Sequence, residues 1–195
     1  MKLCTLLAVV VMLSACKKQG AKPPPAPAVH ETDHVVVLAH HTHPKPTDPV
    51  RVELQRFRVV KASFDPKNIE GGTATIELDL ASLQTHSDER DEHLKSPAYL
   101  DVGSFATATI DLDHVKRKAG ATYTADATVR AHGITKTYPV TFDVLEQRGD
   151  GAIQIEGQHT FGRLDFAIGT DPAQNAEEQV GTDLTIEMVL TLRPT

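Results

Sequence analysis

From Thr73 onward, apolar side chains recur at every second position in run after run. That period admits little besides β-strands with one buried and one wet face. Ala74, Ile76, Leu78 and Leu80 alternate with Thr75, Glu77 and Asp79, and Ala106, Ala108, Ile110 and Leu112 repeat the pattern. Tyr123, Ala125, Ala127 and Val129 continue it, then Tyr138, Val140, Phe142 and Val144, then Ile153 and Ile155. Leu184, Ile186, Met188, Leu190 and Leu192 close the series. Turn formers punctuate these runs: Ser63 to Asn68, Gly71-Gly72, Ala131-His132-Gly133 and Gly149-Asp150-Gly151. Connections this short leave no room for parallel crossovers, so the pairing is antiparallel. About eight strands, each with one apolar face, must stack or close, and the period leaves a sandwich and a barrel equally open.

Two places break the rhythm. Val50, Val52 and Leu54 alternate, but the next apolar residues, Phe57 and Val59, are out of phase. A bulge or sharp bend is expected at Gln55-Arg56. Pro139 suggests an edge or a bend in its strand. The larger break is the stretch Arg90 to Val102, which reads as a short helix between strands. Thr85 with Asp88 forms the Thr-x-x-acid pattern of a capping box, and Pro97 stops the helix.

His86, Asp88, Asp91 and His93 bring acids and imidazoles close in sequence there. Capping acids and an Asp91–Lys95 pair four residues apart account for this charge without catalysis. The chain carries no Gly-x-Ser-x-Gly, His-Glu-x-x-His, phosphate-loop or dinucleotide motif, so no enzyme is expected. A formal charge of −6 offers no electrostatic case for a nucleic-acid partner.

Residues 1–16 read as a targeting segment. Lys2 gives a positive start, Cys4 to Leu13 is apolar but too short to span a bilayer, and Leu13-Ser14-Ala15-Cys16 ends in small residues. Leu-Ser-Ala-Cys resembles the lipobox of bacterial lipoproteins, which implies lipidation of Cys16 and anchoring in a membrane. Lys17 after that Cys, in place of Asp, implies the periplasmic face of the outer membrane. Loss of the leader removes Cys4, leaving no pair for a disulfide framework and no cysteine nucleophile. Residues 17–34, with Pro23-Pro24-Pro25-Ala26-Pro27, form a proline-rich linker. At roughly 3.1 Å per residue in an extended polyproline conformation, it spans on the order of 50 Å. Residues 35–195 are then the folded domain.

His30, His34, His40, His41 and His43 are half of the chain's ten histidines. Neutral imidazoles bind zinc, copper or nickel, so a metal-binding or metal-buffering surface using His40, His41 and His43 is the alternative function. The spacing is loose and lacks an ordered Cys or carboxylate frame. Val35 to Leu38 reads as a short strand with histidines at its wet ends.

Several stretches occur in one familiar order: Phe64-Asp65-Pro66, Ser82-Leu83-Gln84-Thr85, Arg90-Asp91-Glu92-His93-Leu94-Lys95-Ser96, Asp101-Val102, and Phe105 to Ala108. His132-Gly133-Ile134-Thr135-Lys136 and Gly162-Arg163-Leu164-Asp165-Phe166-Ala167-Ile168-Gly169 complete it. On these residues the chain resembles the YceI-like family of lipocalin-like, polyisoprenoid-binding periplasmic proteins, from about Val50 to the C-terminus. Tyr99-Leu100 stands where that family usually has two phenylalanines.

The resemblance implies an all-β, antiparallel, lipocalin-like barrel with one short helix between strands. Its interior would hold an isoprenoid lipid of the polyprenyl phosphate or quinone type. The inward faces would supply the wall: Ala74, Ile76 and Leu78; Ala106, Ala108 and Ile110; Tyr123, Ala125 and Ala127; Val140 and Phe142; Ile186, Met188 and Leu190. The repeated alanines either leave volume for a ligand or fill the taper of a closed barrel. The helix is expected to act as a lid through Leu94, Tyr99 and Leu100.

Overall fold

The computed structural model describes residues 32–42, 48–175 and 178–195. Its strands are β1 (His34–His41), β2 (Val50–Leu54), β3 (Phe57–Asp65), β4 (Asn68–Asp79) and β5 (Leu83–Gln84), before a single helix, α1 (Asp88–Lys95). They continue with β6 (Thr107–Ala119), β7 (Thr122–Ala131), β8 (Ile134–Gln147), β9 (Ile153–Gly162) and β10 (Val180–Leu192). Single turns of 3-10 helix lie at Leu80–Ser82 and Arg163–Phe166.

All ten strands join one antiparallel sheet in the order β3-β4-β6-β7-β8-β9-β10-β1-β2-β5, two more than the eight expected. β1 extends the short strand expected at Val35 to Leu38, and the two-residue β5 is too short to show as an alternating run. The sheet curls because β2 passes directly into β3 through the sharp bend at Gln55-Arg56, so β3 at one end of the strand order is covalently joined to β2, the strand next to the other end. Ser82 fixes that corner: its Oγ accepts from Arg56 N at 2.9 Å and its carbonyl from Gln55 N at 3.2 Å. Thr195 N donates to Ala62 O at 2.9 Å, tying the tail after β10 to β3. The result is a curled, partly open barrel.

Period two becomes cross-strand packing. Ala74, Ile76 and Leu78 of β4 face Leu112, Ile110 and Ala108 of β6. Leu112 and Ile110 in turn face Ala127 and Val129 of β7. On the outer face, Asp111 accepts from Thr75 Oγ1 at 2.6 Å and pairs with Arg130, and Arg58 meets Glu77 at 2.9 Å.

Three local readings change. Gly71-Gly72 is not a turn but a bulge inside β4: one β3 residue, Phe64, stands opposite residues 69–72, and Gly71 takes φ +73°. A Cβ on Gly72 would lie 2.8 Å from Ile69 O and 2.9 Å from Phe64 Cβ, so only glycine fits there. The helix cap is Ser87, whose side chain accepts from Arg90 N, rather than Thr85. Thr85 instead binds Asp91, with Asp91 Oδ1 accepting from Thr85 N at 2.8 Å and Thr85 Oγ1 at 2.6 Å. Asp91 is therefore buried against the start of the helix instead of reaching for Lys95 in solvent.

Pro139 lies in a strand with neighbours on both sides in the sheet, yet its own segment is an edge. β8 pairs with β7 along Ile134 to Asp143, whereas its ladder to β9 begins only at Phe142 opposite Gly157. The proline's missing N–H falls in the unpaired part. The β7–β8 hairpin turns on His132-Gly133, both at positive φ (50° and 73°), as a tight two-residue hairpin loop requires.

Candidate functional site

The barrel is packed at one end and hollow at the other. A cavity of about 210 Å³ lies beneath α1, with a wall that is almost wholly apolar. Leu78 of β4, Ala108 and Ile110 of β6, and Ala127 of β7 line one side. Val140 and Phe142 of β8 and Ile186, Met188 and Leu190 of β10 line the other. These nine were all expected in the interior.

The remaining five candidates lie off the wall. Ala74, Ile76, Tyr123 and Ala125 are buried in the packed core with Ala62, Ile69 and Ile153. The Tyr123 ring stacks on Phe142 at 5.8 Å, and the Arg117 guanidinium lies 4.7 Å over it, so this end is filled. Four residues along a strand cover about 13 Å, enough to carry Ala74 to Leu78, or Tyr123 to Ala127, from filled to hollow barrel. Ala106 is a correction: it precedes β6 and is exposed, and its carbonyl accepts from Leu80 N at 3.0 Å.

Leu94, Tyr99 and Leu100, expected as lid residues, all lie on the cavity wall. Leu94 lies in α1 and Tyr99 and Leu100 in the turn after it; the helix is held by the Thr85–Asp91 pair and by Arg90, whose Nε donates to Thr85 Oγ1 at 3.0 Å. The His93 ring lies 4.8 Å from the Tyr99 ring. Tyr99 itself is buried and donates to Glu178 Oε1 at 2.6 Å. Burial, reinforced by that bond to a carboxylate, pushes the Tyr99 hydroxyl far above its usual range.

Behind this pair lies Arg163, 1% exposed. Its guanidinium donates to four carbonyls, those of Ile168, Thr170, Val180 and Gly181, at 2.7 to 2.9 Å, and approaches Glu178 at 3.6 Å. One planar fork thus organises the segment that follows β9. Gly169, at φ +65°, passes so close that a Cβ would lie 2.6 Å from Arg163 Nη1.

The YceI-like domain matches residues 30–192. The chain belongs to the YceI-like family. A UPF0312 protein of Yersinia enterocolitica is 36% identical over 131 residues, covering 65% of this chain and 67% of the relative. One from Ectopseudomonas mendocina is 29% identical over 136 residues, 68% of each chain. BcnA of Burkholderia cenocepacia superposes with a TM-score of 0.70 at 19% identity, covering 82% of this chain and 96% of BcnA. A polyisoprenoid binding domain from Saccharophagus degradans gives 0.63 at 14%, covering 84% and 94%. At these identities the structural likeness establishes the fold.

The YceI-like motifs now have physical roles. In Arg90 to Ser96, Arg90 and Asp91 fix the helix, His93 backs Tyr99, and Leu94 faces the cavity. In Gly162 to Gly169, Arg163 and Gly169 build the closing segment and Phe166 fills it. The four groups that are close in sequence are engaged separately: His86 is exposed and 4.0 Å from Glu53, Asp88 is exposed, Asp91 is engaged by Thr85, and His93 packs on a ring.

His40 is exposed and His41 half-buried at the end of β1, where the ladder to β10 is bulged between Ala39 and His41. His30, His43 and Cys16 lie outside the described residues. Among those described, the group spaced to share an ion is Asp113 and His114 of β6 with Asp126 of β7, none of them a predicted ligand.

Sequence reasoning missed Glu178, which sits in a polar loop with no pattern to mark it. It also missed His159 and Phe161 on the cavity wall. A signal for these two existed, because Ile153, Ile155, Gly157, His159 and Phe161 continue the period of two.

Proposed function

We propose that this chain is a membrane-anchored binding protein that holds the hydrocarbon chain of an isoprenoid lipid in its half-hollow barrel, carrying or sequestering it in the periplasm. The observation that carries this reading is the aliphatic cavity under a helical plug, in a chain of the YceI-like family. Aliphatic walls with small residues such as Ala108 and Ala127 suit a methyl-branched chain. The likeness to a polyisoprenoid binding domain supports the same ligand class. Leader, Cys16 and proline-rich linker support anchoring at the outer membrane, and palmitate labelling that depends on Cys16 tests it.

Magnitudes favour a carrier. At about 0.8 kcal/mol per buried CH₂, an eight-unit tail taken from water would release roughly 30 kcal/mol, beyond the ceiling of non-covalent affinity. A tail taken from a bilayer is already dry, so extraction lies near balance and release is feasible. Native mass spectrometry of the full chain purified from membranes tests the reading. A co-purifying isoprenoid mass is expected, and an interior that stays empty with every isoprenoid offered overturns it.

A further inference from the structure

The cavity wall is mostly apolar, and one buried polar atom on it lacks a partner. His159 Nε2 is buried and has no hydrogen-bond partner among the described residues. Its ring lies on the wall, 5.1 Å from the Tyr138 ring, and burial pushes the imidazole below its usual pKa range, favouring the neutral form. A buried polar atom without a partner is costly, and a ligand atom is the partner a cavity can supply.

His159 lies where the barrel wall parts. The β8–β9 ladder starts at Phe142 opposite Gly157, so Ile134 to Thr141 of β8 and residues 158–162 of β9 do not pair with each other. Thr141, Gly157 and Gln158 border the cavity on the inside and also a second, polar depression. That depression carries Asp143, Glu156 and Glu187 with His34. Arg163, the cation on the cavity wall, is engaged by four carbonyls and Glu178. Asp165 lies 3.2 Å from the Tyr138 hydroxyl. Lys136, at the exposed far end of the parted β8 segment, lines neither the cavity nor the depression, and the three carboxylates of the depression disfavour a phosphate there.

We propose that the parted strands β8 and β9 form a side window, and that His159 Nε2 at its inner lip hydrogen-bonds the uncharged hydroxyl or carbonyl end of the bound chain. The assignment rests on the reading of the interior as a ligand cavity. A neutral imidazole serves either group, since Nε2 accepts from a hydroxyl in one tautomer and donates to a carbonyl in the other.

The test compares three probes of one chain length in mild detergent: geranylgeraniol, geranylgeranyl diphosphate and the hydrocarbon phytane. Geranylgeraniol is expected to bind about tenfold more tightly than phytane, the worth of one buried hydrogen bond, and more tightly than the diphosphate. His159→Phe brings the ratio of geranylgeraniol to phytane affinity, both measured on the same variant, to about one, and His159→Gln retains the parent ratio. In protein with ¹⁵N-labelled histidine, the His159 Nε2 resonance shifts with geranylgeraniol and not with phytane. Preference for the diphosphate, equal affinity for all three, or a persistent alcohol advantage in His159→Phe overturns the assignment while leaving the cavity reading intact. Binding of none of the three overturns both.

Discussion

The Tyr99 hydroxyl donates to Glu178 Oε1 across 2.6 Å, joining the plug after α1 to a loop 79 residues later. Glu178 also accepts from Val180 N at 3.0 Å and lies beside the fully buried Arg163. The segment after α1 is therefore latched to that loop, and the latch uses the Tyr99 hydroxyl. Tyr99→Phe keeps the ring and removes the bond. A loss of about 2 kcal/mol in urea unfolding is expected, with faster exchange of bound lipid between protein and vesicles.

The same carboxylate makes the latch sensitive to acid. Burial alone would raise the Glu178 carboxyl, but the Tyr99 hydroxyl, the Val180 and Thr170 amides and Arg163 together hold it below its ordinary value. A group lowered in the folded state contributes stability above its unfolded pKa and loses it as pH falls through the folded one. Stability is thus expected to hold above about pH 5 and to decline below the ordinary glutamate range. Glu178→Gln removes the titration, and circular dichroism against pH should show a shallower acid limb than the parent chain.

Arg163 cannot be exchanged for another cation. Arg163→Lys offers a point charge in place of a planar fork and leaves several of the four carbonyls without donors. Arg163→Met leaves all four, together with Glu178, unpaired in a dry site. A loss of about 3–5 kcal/mol is expected for Met and a smaller but clear loss for Lys, both read from chemical denaturation.

Two alanines on one strand separate the hollow end from the packed one. Ala127 faces the cavity, so Ala127→Leu should fill space, preserve stability and weaken lipid uptake. Ala125, one inward position away, lies in the close-packed core, and Ala125→Leu should cost about 1–3 kcal/mol through overpacking. Melting temperature and lipid binding, measured on both variants, check this. Equal responses would show that the barrel has no such division.

Much of this architecture follows from local pattern. Period two requires strands, short polar connections require antiparallel pairing, and the phase slip between Leu54 and Phe57 marks the bend that curls the sheet. Leu94, Tyr99 and Leu100 were legible as the apolar underside of a helix beside charged residues. Alternation also separates an inward from an outward face, since that depends only on the geometry of successive residues. It does not tell which inward residues meet a neighbour and which meet empty space. That depends on where each strand crosses the barrel axis, how far the β8–β9 ladder extends, and which distant groups close an end. Ala125 and Ala127 are indistinguishable in sequence, and Tyr99 and Glu178 share no local signal. The sequence by itself determined the strands and their faces. The tertiary structure decided the cavity, its latch and the solitary imidazole, because each arises from contacts between segments far apart along the chain.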